Sequence, residues 1–226
     1  MNRMKTMRVF VAMVLTLGMS SGSWGTEIEL YPTGPSADSA FLRFVDGDAK
    51  GLRVIASGSK LELRLDAGQR ASQFRSVAGG SKINGQLLTD HSQANVDLTL
   101  KPGEFITVMG TTVNGTLQAL TLRETPDDFS AIKASVVFYN MNAQCAPATL
   151  KVAGRTVNLF EGIAKDASTR RQVNPVKLAV QLVCAGNPVG EPVDMGTLVA
   201  GERYSIFLAP GDPADRFFYV KDAVAN

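Results

Sequence analysis

The 226-residue sequence has one tryptophan, one histidine and two cysteines, and nowhere a run of about 20 apolar residues long enough to cross a bilayer as a helix. Trp24 lies in the leader described below, so the mature chain has no tryptophan platform for stacking a sugar. Two cysteines and the distant His91 do not make up a metal-ligand set. Beyond that leader no Gly-x-Ser-x-Gly elbow is present to present a nucleophile. No segment sustains apolar residues at i, i+3, i+4 and i+7, which argues against an α/β enzyme.

Basic excess is also missing once the start of the chain is set aside. Arg3, Lys5 and Arg8 precede an apolar run over residues 9–17, and Ser23 and Gly25 put small residues at −3 and −1 of a cleavage before Thr26. Residues 1–25 are expected to be a cleaved secretory signal, placing the protein in the periplasm. Without them Lys plus Arg falls from 23 to 20 against 21 acidic residues, a net charge of about −1. A nucleic-acid partner, which needs a clustered cationic surplus, is not expected. In an exported chain Cys145 and Cys184 read as a disulfide that stabilises by about 4 kcal/mol, with two free thiols as the alternative.

What is present is strand and turn, twice over. Residues 100–108 contain Leu-x-x-Gly-Glu followed by a large apolar, a hydroxyl and a β-branched residue, and residues 198–206 repeat that frame, with Gly103 and Gly201 98 positions apart. That spacing implies a duplicated domain rather than a solenoid. Strands are predicted over 40–45, 52–56, 61–65, 96–100 and 116–123, with Leu61, Leu63 and Leu65 on one face. Residues 66–91 read as loop with short strands near 74–77 and 86–88, and Asn114-Gly115 as a type I′ hairpin turn. The polar, proline-broken 124–128 is the linker. Strands 134–139, 148–152 and 156–160 match the first three of the first half. Residues 162–172 read as a polar loop carrying Arg170 and Arg171, the alternating 176–183 corresponds to 96–100, and 217–221 closes the second half. The expected fold is all-β: two tandem antiparallel, immunoglobulin-like sandwiches at 26–125 and 126–226.

Candidate chemistry is sparse. Thr89-Asp90-His91-Ser92 contains the residue types of a hydrolase triad, but chain neighbours point to opposite sides and do not form one. Asp127-Asp128 and Asp212 with Asp215 read as solvated turn carboxylates. Gly79-Gly80-Ser81-Lys82 lacks phosphate-loop spacing and a following helix. Asn174-Pro175 pre-sets a strand start.

Leu30-Tyr31-Pro32, Ser39-Ala40-Phe41-Leu42-Arg43 and Val173-Asn174-Pro175-Val176-Lys177, set in a two-domain β protein behind a signal, resemble the AlgF family of alginate O-acetylation accessory proteins. The resemblance implies a non-catalytic adaptor without cofactor or metal. Its partners are a membrane-bound O-acyltransferase and periplasmic acetyltransferase proteins, with the exopolysaccharide, alginate or cellulose, as a further one. The alternatives are an acetyl-transferring or esterase enzyme built on His91 and a distant serine, and a polysaccharide-binding or chaperone-like module. Candidate interaction residues are Tyr31, Arg43, Arg170, Arg171, Asn174 and Pro175.

Overall fold

The computed structural model describes residues 38–125 and 130–225. The signal segment, Tyr31 and Asp127-Asp128 lie outside these residues. Every regular element described is a strand. The first half holds β1 (Ser39–Asp46), β2 (Leu52–Ala56), β3 (Glu62–Leu65), β4 (Arg75–Ala78), β5 (Lys82–Leu88), β6 (Gln93–Thr99), β7 (Phe105–Val113) and β8 (Thr116–Glu124). The second holds β9 (Ala134–Asn140), β10 (Ala148–Val152), β11 (Asn158–Ile163), β12 (Ala167–Val173), β13 (Lys177–Cys184), β14 (Asn187–Thr197), β15 (Arg203–Leu208) and β16 (Phe217–Asp222).

Each half is a sandwich of two four-stranded sheets. Sheet β4-β1-β7-β8 covers β3-β2-β5-β6, and β12-β9-β15-β16 covers β11-β10-β13-β14. The strand orders are the same at every position, as duplication requires. All pairings between these strands are antiparallel except β1 with β7 and β9 with β15, a parallel pair in each sandwich that the antiparallel expectation did not include. Leu52, Leu87, Ile106 and Val108 fill the first core; Leu150, Leu182, Ile206 and Leu208 fill the second.

The repeated Leu-x-x-Gly-Glu stretch is the same joint twice. Leu100 and Leu198 are buried in their respective cores. Leu100 N–H donates to Ser81 O and Leu198 N–H to Val176 O, both at 3.0 Å, while Gly103 N–H bonds Ser39 O at 2.9 Å and Gly201 N–H bonds Lys133 O at 3.0 Å. Both glycines are left-handed, at φ 76° and 79°. Nothing stands near the missing Cβ of Gly103, so its replacement meets backbone strain alone. Gly103→Ala is expected to cost about 1–2 kcal/mol in urea unfolding, and Gly103→Asn less, because asparagine tolerates this region.

Four expectations need correction. Leu61 does not share a face with Leu65: it is 83% exposed, because the β2–β3 register begins with Ile55 opposite Glu62 and Leu61 lies beyond it. Residues 162–172 are not a loop; β12 pairs with β9 from Ala167 opposite Asn140 to Val173 opposite Ala134, its polar composition suiting an edge strand. The alternating strand β13 is the counterpart of β5, not of 96–100. The counterpart of β6 is β14, unread in the sequence because Pro188, Gly190, Pro192 and Gly196 break its pattern; an edge strand with register shifts tolerates them. The Asn114-Gly115 hairpin forms as expected, with both residues left-handed.

Candidate interaction site

The two sandwiches share a third buried layer. Strands buried on one face alternate, but β1, β7, β9 and β15 are buried almost throughout, which marks a sheet covered on both sides. Alternation sends Ala40 and Leu42 into the first core and turns Arg43 and Val45 toward the second sandwich. There Val45 and Met109 meet Val137, Tyr139, Phe207 and Phe218.

Arg43 holds the centre of this joint and is 1% exposed. Its Nε donates to Thr107 Oγ1 at 2.8 Å, one terminal nitrogen to Asp222 Oδ1 at 2.6 Å and the other to Ser205 Oγ at 2.7 Å. Ser205 passes its own hydrogen to Asp222 Oδ2 at 3.0 Å. Phe74 lies 4.3 Å from the guanidinium, so the cation is satisfied in its plane and covered on its face. A buried arginine is tolerated only with such complete partnering.

Superposing the repeats by register shows how the joint diverged. Arg43 and Val137 are equivalent, as are Thr107 and Ser205, and Glu124 and Asp222. Each acidic residue receives an arginine from the opposite sandwich: Arg43 reaches Asp222, and Arg170 reaches Glu124 at 2.6 Å while also donating to Ser135 Oγ at 2.8 Å. Phe74 and Phe105 on one copy correspond to Arg170 and Arg203 on the other, and Arg203 sits 5.0 Å from the Phe105 ring. Burial, followed by the like charge of Arg170, lowers the Arg203 pKa from its ordinary value. Burial, and then Glu124, pushes the Tyr139 hydroxyl well above its ordinary range.

At the opposite end Asp48 accepts from Thr111 Oγ1 at 2.8 Å and Thr112 N–H at 2.9 Å and pairs with Arg216 of the other sandwich. Burial works to raise its pKa, but the bonds from Thr112 and Thr111 and the charge of Arg216 outweigh it, leaving Asp48 below its ordinary 3.8. A depressed carboxyl contributes stability that is present above the ordinary value and lost as pH falls through the folded one. Asp48→Asn is therefore expected to unfold earlier than wild type at about pH 7, the gap narrowing toward about pH 3 in urea titrations.

The expected interaction residues separate into groups. Arg43 and Arg170 are internal to the joint and not free for a partner. Arg171 donates to Leu159 O at 3.0 Å, occupying a carbonyl of edge strand β11. Asn174 and Pro175 are exposed ahead of β13. Cys145 and Cys184 are disulfide-bonded. His91 is exposed in the β5–β6 turn, where Thr89 and Ser92 bond each other and Ser92 Oγ accepts from Leu117 N–H. Asp212 accepts from Ala214 N–H within its own turn. Gly79 is a glycine because a Cβ there would stand 2.4 Å from Asp38 O. Sequence reading missed Thr107, Glu124, Ser205, Asp222 and Asp48. A lone arginine in the apolar 40–45 run was the available signal, since such a residue demands a buried acid. An open cleft of about 710 Å³ on the outer face of the second sandwich carries Lys151, Arg155 and Gln181.

The family profile described as Alginate O-acetyl transferase AlgF matches residues 13–205. No curated protein matches the chain. Among solved structures, the C-terminal domain of AlgF from P. aeruginosa is 22% identical, with 40% of this chain and 96% of that domain covered and a TM-score of 0.32. A candidate cell adhesion protein from Bacteroides uniformis ATCC 8492 is 9% identical, with coverage of 83% and 98% and a TM-score of 0.29.

Proposed function

The chain belongs to the AlgF family, and from that premise we propose that it is a non-catalytic adaptor for exopolysaccharide O-acetylation. It is exported to the periplasm and holds a membrane-bound O-acyltransferase and periplasmic acetyltransferase proteins at a fixed spacing. The joint supports this reading. An adaptor transmits geometry only if its halves do not swing, and Arg43–Asp222, Arg170–Glu124 and Arg216–Asp48 lock the sandwiches at three places. His91 is exposed, and no hydrogen bond joins it to a described hydroxyl or carboxylate, so it lacks the nucleophile contact that acyl transfer requires.

Deleting the gene is expected to abolish polymer acetylation, measured as ester-bound acetate, and His91→Ala to restore it fully on complementation. Persisting acetylation in the deletion strain overturns the adaptor reading. Failure of His91→Ala to restore it favours an enzyme. The family description makes alginate the first polymer to test and cellulose the second. Lys151 and Arg155 in the open cleft favour direct contact with an anionic polymer, read as retarded migration in affinity electrophoresis.

A further inference from the structure

Of the six large hydrophobic residues most exposed in the described chain, three come together at one end of the second sandwich: Ile132 at 76%, Val176 at 45% and Val199 at 49%. The repeated turn gathers them. It carries Val199, and is hydrogen-bonded to Lys133 O through Gly201 N–H and to Val176 O through Leu198 N–H. The same backbone in the first sandwich bears Asp38, Ser81 and Lys101, by the equivalent bonds to Ser39 O and Ser81 O. The fold therefore does not require aliphatic residues there, and only one copy has them.

We propose that this tip is a membrane-contact site for an anionic lipid surface. Ile132 and Val176 are each followed by a lysine, Lys133 and Lys177, and neither lysine has an ion-pair partner among the described residues. Glu202 and Lys221 beside the turn neutralise each other at 3.1 Å. Aliphatic side chains projecting from turns, rimmed by free cations on long stems, match the boundary between acyl chains and anionic headgroups. Three side chains fall far short of the roughly 800 Å² per partner that a stable protein interface buries. The tip would orient the adaptor against the bilayer, and this assignment stands independently of the acetylation reading.

The test uses the full chain as recovered from cells and the variant Ile132→Asp/Val176→Ser/Val199→Lys, which installs the residues of the first copy on the same backbone. Both are co-sedimented with phosphatidylcholine vesicles, with and without about 30% phosphatidylglycerol. Wild type is expected to partition onto the anionic vesicles about tenfold more than the variant, less at high salt, with unfolding midpoints unchanged. Equal partitioning of the two proteins overturns the proposal. So does a wild type that ignores both vesicles, which assigns the tip to a protein partner instead.

Discussion

Replacing Arg43 with alanine is expected to lower the stability of the protein by about 3–5 kcal/mol, because it leaves Asp222 charged and buried without its counterion. Asp222 lies on β16, 179 residues from Arg43, so the loss falls on the joint rather than on either core. The urea transition should therefore split, the two sandwiches unfolding separately where wild type unfolds in one step. Arg43→Lys should recover only part of the loss, since an ammonium does not reach Thr107, Ser205 and Asp222 in one plane. The double variant Arg43→Met/Asp222→Leu should lose less than Arg43→Ala, because an apolar pair carries no unpaired charge. A loss below about 1 kcal/mol for Arg43→Ala would show that the network contributes orientation only.

The second large effect is expected from Cys145→Ser/Cys184→Ser. The bond closes a 39-residue separation, worth about 4 kcal/mol in the chain-entropy account. It connects the segment after β9 to the end of β13, which belong to the two different sheets of the second sandwich. Its removal should lower the urea midpoint of that sandwich first, with early proteolytic cuts confined to the second half. An oxidised and a reduced protein with the same midpoint would refute this. Treating wild type with a reductant should reproduce the variant, separating the covalent link from the replacement of the two sulfurs, of which only that of buried Cys145 lies in the core.

These two devices differ in how visible they are in a one-dimensional sequence. The cysteine pair was readable as a candidate bond, because two cysteines leave one intramolecular pairing, with free thiols as the other reading. The Arg43 network was not, since Arg43, Thr107, Ser205 and Asp222 are scattered over 179 positions and become neighbours only when one sandwich docks on the other. Arg170 shows the same limit from the other side: next to Arg171 in a polar run it reads as a solvated pair, yet β12 turns alternate residues to opposite faces. One arginine enters the joint and the other crosses to the carbonyl of Leu159.

The divergence of the copies also bears on assembly. Two identical joint faces would suit a symmetric dimer as well as an internal contact. With Phe74, Phe105 and Arg43 on one face and Arg170, Arg203 and Val137 on the other, the two faces are complementary but no longer identical.

By itself the sequence determined the all-β class, the duplication, the Gly103 and Gly201 turns and the Asn114-Gly115 hairpin, and it offered the cysteine pair as a disulfide with free thiols as the alternative. All of these rest on local chemistry, on alternation along a strand or on a backbone that only certain residues adopt. Tertiary structure alone decided that β12 and β14 are strands, since edge strands accept polar and proline-rich sequence. It also decided that Leu61 lies outside its sheet and that two β-sheets are covered on both faces. Above all it decided that Arg43 is internal. A buried charge is fixed by the partner that meets it, and that partner is chosen by docking two folded surfaces, a step for which neither strand carries a pattern of its own.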